Sequence, residues 1–364
     1  MLLSALVSSA LFLAPALPQN EVVLVDGKVI PVQTIRTETF SEVTYKTVNG
    51  GDGRKDAHLV REVVHDTGSA TLDDYVAALQ LMENGDFLNA IQSFQMVLQD
   101  RSASSGRFSW TVQHCWYRIM LCASSDANYS GVVQAADQLL AAVPDTFFYG
   151  QALMMKADAL AQRKDAAGAE RAYRDLAAAV STKGLPERWA RESELGLVLL
   201  DKGLRGAAKR TKLDQIVARN GREYPTVAAR ANVEIGISYL DEEDLAKAEG
   251  FFQRILDEGN SDNMTEAYAW FGIAQVAYKR GLASDDATAS RKFFFEGGLN
   301  FLRVALMYQE VIQLVPESLC QGAICFHRMG DTESKTKALK IRNRLTKRFP
   351  GSPQAKRCEE ELRR

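Results

Sequence analysis

Two periodicities divide the chain. Between residues 21 and 66, apolar positions come in short β-branched runs: Val22, Val23, Leu24 and Val25, then Val29, Ile30 and Val32. The Asp26-Gly27 pair between them signals a hairpin, because a tight turn needs a residue that accepts positive φ. Phe40, Val43, Tyr45 and Val48 predict a further strand pair or one long strand, Asn49-Gly50-Gly51-Asp52-Gly53 a loose turn, and residues 59–64 a last strand. Four or five short strands in about 45 residues enclose little core, so this module is predicted to curl and lean on the segment C-terminal to it.

After Thr71 the apolar period changes to about 3.6 and stays there, with polar or glycine breaks every 12 to 20 residues. That pattern predicts an array of helical hairpins. A small residue is followed 12 positions later by a second small or β-branched one, then by bulkier residues 4 and 7 further on. The offsets recur in Ala78, Ala90, Phe94, Val97; in Met120, Val132, Ala136, Leu139; in Ala157, Ala169, Tyr173, Leu176; and in Gly236, Ala248, Phe252, Ile255. Gly322, Ser334, Ala338 and Ile341 close the series, while Gly196 and Ala208 are followed by Lys212 and Gln215, a degenerate unit. Small residues at the first two positions let paired helices approach, and the bulky ones fill the groove toward the next pair. Asn84-Gly85-Asp86, Lys164-Asp165, Glu243-Asp244 and Gly330-Asp331 read as turns within hairpins, and Pro144, Pro225, Pro316 and Pro350 as stops for second helices.

These residues resemble the tetratricopeptide (TPR) repeat pattern over roughly residues 71–364. The steps between second small residues, 90 to 132, 132 to 169, 169 to 208 and 208 to 248, are 42, 37, 39 and 40. The family step is about 34, so longer connections are expected. The sixth unit departs further: Gly272 opens it, but Val304, Tyr308 and Val311 come 32 residues later, leaving 32 − 12 = 20 extra residues that include Arg291-Lys292-Phe293-Phe294-Phe295. Those aromatics either pack in a lengthened helix or form a contact patch. Near the end, Ser352 and Pro353 read as N-cap and first residue of a charged capping helix. This ending resembles the exported TPR proteins of bacterial envelopes, such as the Tol-Pal accessory and outer-membrane assembly proteins. The expected fold is mainly α: a TPR-like α-solenoid preceded by a small SH3-like β module. Expected boundaries are 1–19 signal peptide, 20–67 β module, and 68–364 a repeat array of about seven hairpins plus a capping helix.

The signal-peptide reading rests on residues 2–17, which carry no charge and end in Ala14-Pro15-Ala16, a small-x-small pattern with a cut expected after Ala16 to Gln19. The run is too short to span a bilayer, which needs about 20 apolar residues. A periplasmic or otherwise exported protein is the expectation. With 44 basic and 46 acidic residues, the formal charge is −2. That balance gives no broad positive field for nucleic acid. Five cysteines without a CxxC pair exclude a full disulfide framework and read as small buried residues, with one interhelical bridge still open.

Chemistry is sparse. His58, His65, His114 and His327 are scattered over both modules without a zinc-type spacing, and no nucleophile-elbow, Walker or dinucleotide motif occurs. Gly50-Gly51-Asp52-Gly53 lacks the Lys-Ser/Thr and helix of a phosphate cradle. No catalytic, cofactor or metal residue is assigned, and a non-catalytic protein-interaction scaffold is expected. The TPR resemblance implies a concave surface lined by first-helix positions, which here gives the partner-groove candidates Tyr75, Leu79, Tyr117, Leu121 and Met154. It also implies that the Lys/Asn carboxylate clamp of chaperone-binding members is absent. A packed interior is the other reading of these apolar residues. The partner is expected to be a protein, with no nucleic acid and no membrane span. Two alternatives stay open: a self-associating structural protein, and an accessory subunit of an envelope enzyme marked by a buried charged pocket between β module and array.

Overall fold

The computed structural model describes residues 20–364 except 260–262, 310, 312, 313, 351 and 364; the expected signal segment lies outside the described residues. Five antiparallel strands come first: β1 Asn20–Leu24, β2 Val29–Glu38, β3 Glu42–Thr47, β4 Asp52–Asp56 and β5 Val60–Val64. Their order is β4-β3-β2-β1-β5. The chain thus makes a four-strand meander and returns through a 3₁₀ turn, Ala57–Leu59, to lie beside β1. This is the connectivity of an SH3-like sheet. Asp26-Gly27 turns the first hairpin, with Gly27 at φ 85° and the Asp26 carboxylate accepting from Lys28 N at 2.9 Å.

β4 starts inside the segment expected to be a loose turn. Its sequence Asp-Gly-Arg-Lys-Asp has no fully buried residue and no apolar one, and β4 is a sheet edge. Alternation therefore could not reveal it, and charge suits an unpaired edge. Gly53 is required there, since a Cβ would come within 2.2 Å of the Tyr45 ring.

Seven hairpins come next among the described residues: α1 Asp73–Glu83 with α2 Phe87–Gln99; then, after a short α3 (Arg101–Ser104) and a 3₁₀ turn, α4 Trp110–Ser125 with α5 Tyr129–Ala142; α6 Tyr149–Gln162 with α7 Ala166–Lys183; α8 Arg188–Leu200 with α9 Gly206–Asn220; α10 Pro225–Asp241 with α11 Leu245–Glu258; α12 Asn263–Ala283 with α13 Ala287–Met307; and α14 Val315–Arg328 with α15 Thr332–Arg348. The last helix, α16 Pro353–Arg363, packs back on α14. The extra turn around α3 accounts for the longest step between units.

The small-and-bulky pattern has the packing role it implied. Ala78, Ala90, Phe94, Ala157, Ala169, Leu176, Ala248 and Phe252 are all fully buried. Two expectations need correction, the degeneracy of the fourth unit and the place of two prolines. The fourth unit is not degenerate: Leu213 and Ile216 fill its core, one residue later than Lys212 and Gln215, because the turn after α8 is longer. In the sixth unit the extra residues take the lengthened-helix reading. They lengthen α12 and α13 to 21 residues each. There Phe294 is buried beside Tyr278, whereas Phe295 is 41% exposed. Pro225 and Pro316 also differ from expectation, standing in the first turns of α10 and α14. Proline is tolerated there because the first N–H groups of a helix have no intrahelical acceptor.

A repeated turn joins the hairpin helices. Gly85, Ala127, Lys164, Glu243 and Gly330 all have positive φ, and each precedes an Asp or Asn at the N-cap of the second helix. Asn128, Asp165, Asp244 and Asp331 then accept the backbone N–H three residues on. All five cysteines are free and buried. Cys320 of α14 and Cys358 of α16 are hydrogen-bonded partners, and Arg357 donates to Cys320 Sγ at 3.2 Å and to Glu317 at 2.7 Å. Among the described residues, no helix is long and apolar enough to cross a membrane.

Candidate functional site

The β sheet is too small to bury its own inner face. Val22, Val32, Val43, Tyr45, Val60 and Val63 therefore share one continuous core with the first hairpins of the array. The attachment is polar at its edge. Thr39 bridges to Thr146, Phe40 N donates to Asp145 O at 3.1 Å, and Phe40 packs on Tyr149 with centroids 5.7 Å apart. Gln113 of α4 ties three segments together: its Nε2 donates to Glu38 O at 3.2 Å, while its Oε1 accepts from Thr146 Oγ1 at 2.7 Å and Phe147 N at 3.0 Å.

Glu38 ends β2, His65 comes directly after β5, and His114 lies one turn into α4. Their side chains meet at this junction. His114 Nε2 is 2.9 Å from Glu38 Oε1, and His65 Nε2 is 3.0 Å from Glu38 Oε2. The three side chains are only 3–7% exposed. Aromatic rings fix both imidazoles. Trp110 stacks on His65 with centroids 4.0 Å apart and planes 4° apart, and Phe148 meets His114 edge-on at 5.2 Å. Burial works to raise the Glu38 carboxyl, but the charge and hydrogen bond of His114 and the contact with His65 outweigh it and hold it at about 2. Burial moves His65 the other way, below its ordinary value, against the pull of Glu38. At neutral pH the junction thus holds an ionised carboxylate facing a neutral His65. These three are the residues able to hold a metal ion among those described.

Tyr75 is in the interior and Tyr117 is half-buried. Tyr75 is 2% exposed, its ring edge-on to Trp110 and Phe94, and its hydroxyl accepts from Arg118 Nε at 3.4 Å. Burial pushes its hydroxyl up to about 12, although Arg118 opposes the shift. Tyr117 stacks on Phe148 with centroids 4.0 Å apart. Leu79 and Leu121 pack partly buried against the same core. Glu38 and His65 of the β module sit on the side of α4 that carries His114, another first-helix position of the same unit. Met154 is further along and only half-buried, near Arg230, which pairs with Glu192 of α8. Asp158, one turn on from Met154, is exposed and accepts from Tyr173 Oη.

In the sequence the histidines are scattered, and spacing could not assemble this cluster. Glu38 and His114 are 76 residues apart, on elements of different period. The available signal was a histidine directly after a strand with two buried valines, another on the inner face of a helix, and a glutamate at the end of a strand.

No protein-family model matches the chain, and no curated protein matches it. Solved structures do. The C-terminal part of a TPR repeat-containing protein from Cytophaga hutchinsonii is similar at 13% identity, covering 78% of this chain and 98% of that one, with a TM-score of 0.33. PilW, a widely conserved type IV pilus biogenesis factor, is similar at 14% identity, covering 80% of this chain and 98% of its own, with a TM-score of 0.29. The array is TPR-like. That statement stands on the hairpins themselves: Gly196, Gly236 and Gly272 lie against the Tyr173 and Phe252 rings, the small-to-bulky contact the repeat requires. The sheet is docked on the second and third hairpins of this array.

Proposed function

We propose that the chain is an exported protein-interaction scaffold of the cell envelope, holding its partner on the array beyond the docked sheet. Residues 2–17 support export, as an uncharged apolar run with a small-x-small end. The partner surface we assign is the concave stretch over α6, α8 and α10, where Met154, Asp158, Glu192 and Arg230 combine a half-buried apolar side chain with charges of both signs. One observation supports this choice: His114 of α4 is buried against Glu38 and His65 of the β module, whereas Asp158 on α6 stays exposed. Affinity capture from an envelope fraction with the tagged chain tests it. A protein retained at fixed stoichiometry and lost with Asp158→Lys, while the far-ultraviolet circular dichroism melt is unchanged, supports the groove. Equal retention moves the contact to another face.

A second reading, an accessory subunit of an envelope enzyme, is favoured by one feature. Glu38, His65 and His114 form a buried charged cluster between sheet and array. Co-purification of an enzymatic activity that vanishes with Glu38→Gln would select it over the scaffold.

A further inference from the structure

We propose that Glu38, His65 and His114 form a binding site for one divalent first-row transition ion, of which zinc fits best, clamping the β module to the helical array.

The donor set is the first argument. Two imidazole nitrogens and a carboxylate oxygen, from three separate elements, lie within 4.8 Å of one another. Zinc bonds of about 2.0–2.1 Å in tetrahedral geometry put neighbouring donors about 3.3–3.4 Å apart. The Nε2 to carboxylate distances here are 2.9, 3.0 and 3.2 Å. An ion therefore needs small outward movements of the carboxylate from each imidazole, with all three donors already within 4.8 Å of one another, and it replaces the shared protons as the group that joins them.

The surroundings are the second argument. A buried structural carboxylate is normally matched by arginine, which is always charged and offers a planar fork. Among the described residues, the Glu38 carboxylate is paired only with two imidazoles, each of which offers a ring nitrogen of the kind that ligates first-row metals. The imidazoles are held before any ion arrives, by the Trp110 stack on His65 and the Phe148 edge on His114. Such support from outside the ligand set fixes ring orientation and sharpens affinity. With three protein donors, a fourth position is left for water or an exogenous ligand, as in open zinc sites.

The third argument is position. The sheet and α4 contribute separate ligands, so binding couples ion affinity to docking of the module. Any ion that binds only the docked form stabilises it by mass action.

The test uses the untagged full chain, stripped with chelator and dialysed. Titration with Co²⁺ should give the visible ligand-field spectrum of a nitrogen-and-oxygen site, saturating at one equivalent and displaced by Zn²⁺. Zn²⁺ should raise the melting temperature of wild type. Glu38→Gln and His65→Gln should each lose the band and weaken zinc binding by at least about tenfold, whereas His58→Gln, on the exposed side of the same module, should retain both. Absence of a saturable band in folded wild type overturns the proposal and leaves a hydrogen-bonded clamp. A band that survives in both site variants also overturns it, placing the ion elsewhere. The wild-type titration decides even if a variant fails to fold, and it does not depend on partner capture, so the metal site and the scaffold reading fail separately.

Discussion

The ring of Phe252 occupies the space that a Cβ on Gly272 would need, with ring carbons 2.4 Å from that position. The same ring stands 2.6 Å from the Cβ position of Gly236. One phenylalanine on α11 thus packs under two glycines, one on each neighbouring first helix, and all three residues must be this size together. Gly236→Ala and Gly272→Ala should each destabilise the protein by about 1–3 kcal/mol through overpacking. Gly250→Ala, in open space on the outer face of α11, should instead stabilise by about 0.5–1 kcal/mol. Urea denaturation of the three variants measures the contrast; equal midpoints would show that the hairpins do not approach this closely.

The first and last hairpins touch. Phe87, at the start of α2, and Phe349, just after α15, lie with ring centroids 5.9 Å apart and are 6% and 3% exposed. Gly85 presses on the same place, its Cβ position 2.0 Å from the Arg348 carbonyl oxygen. Phe349→Ala should cost roughly 3–5 kcal/mol, the range for emptying a buried aromatic site. If the contact holds the two ends together, small-angle scattering should also show a larger radius of gyration for the variant under native conditions. A melt and radius indistinguishable from wild type would mean that the ends are independent.

Acid should act on the helix caps. Hydrogen bonds hold three cap carboxyls below the ordinary aspartate value: from the Ser102 side chain to Asp100, from the Lys247 side chain to Asp244, and from the Ser334 backbone to Asp331. A folded-state value below the unfolded one means that these contributions are complete above the unfolded aspartate value, about 3.9, and are lost as pH falls through the depressed values. The combined Asp100→Asn, Asp244→Asn and Asp331→Asn variant keeps capping oxygens but removes the titration. Its melting temperature should lie below that of wild type at neutral pH, where the ionised contribution is missing, and the two should converge as pH falls below about 4. Parallel acid limbs would show that the caps do not set this slope.

Repetition made the array legible, because a small residue under a bulky one has a local cause and a fixed offset. Ala157, Ala169, Tyr173 and Leu176 could be read directly, and the same residues are buried together. Where a turn changed length the offset failed, which is why the pattern misses Leu213 and Ile216 by one position. β4 was hidden for the opposite reason: an edge strand of charged residues has no apolar residue and so no pattern. The candidate site lay beyond any periodic signal. Glu38, His65 and His114 converge because a sheet with too little core docks on α4, and docking is a relation between modules that neither pattern contains. Tyr75, a groove residue by its place in a repeat, is in the interior against Phe94 and Trp110.

The turn within each hairpin makes the last prediction. Lys164 and Glu243 adopt φ of 64° and 60° where Gly85 and Gly330 stand in equivalent turns at 79° and 86°. A side chain in this left-handed region costs about 1–2 kcal/mol, while glycine adds about 0.5–1 kcal/mol of unfolded-chain entropy. Lys164→Gly and Glu243→Gly should therefore stabilise by roughly 0.5–1 kcal/mol each, the difference of those two effects. The reverse change separates backbone conformation from collision. Gly330 has nothing within 4 Å of its Cβ position, so Gly330→Ala should be penalised by its φ alone, whereas Gly85→Ala adds the clash with Arg348 and should lose more. Chemical denaturation of the four variants orders them: two above wild type, Gly330→Ala below it, Gly85→Ala lowest. If Lys164→Gly and Glu243→Gly both fell below wild type, the left-handed turn would be the wrong account of how these hairpins close.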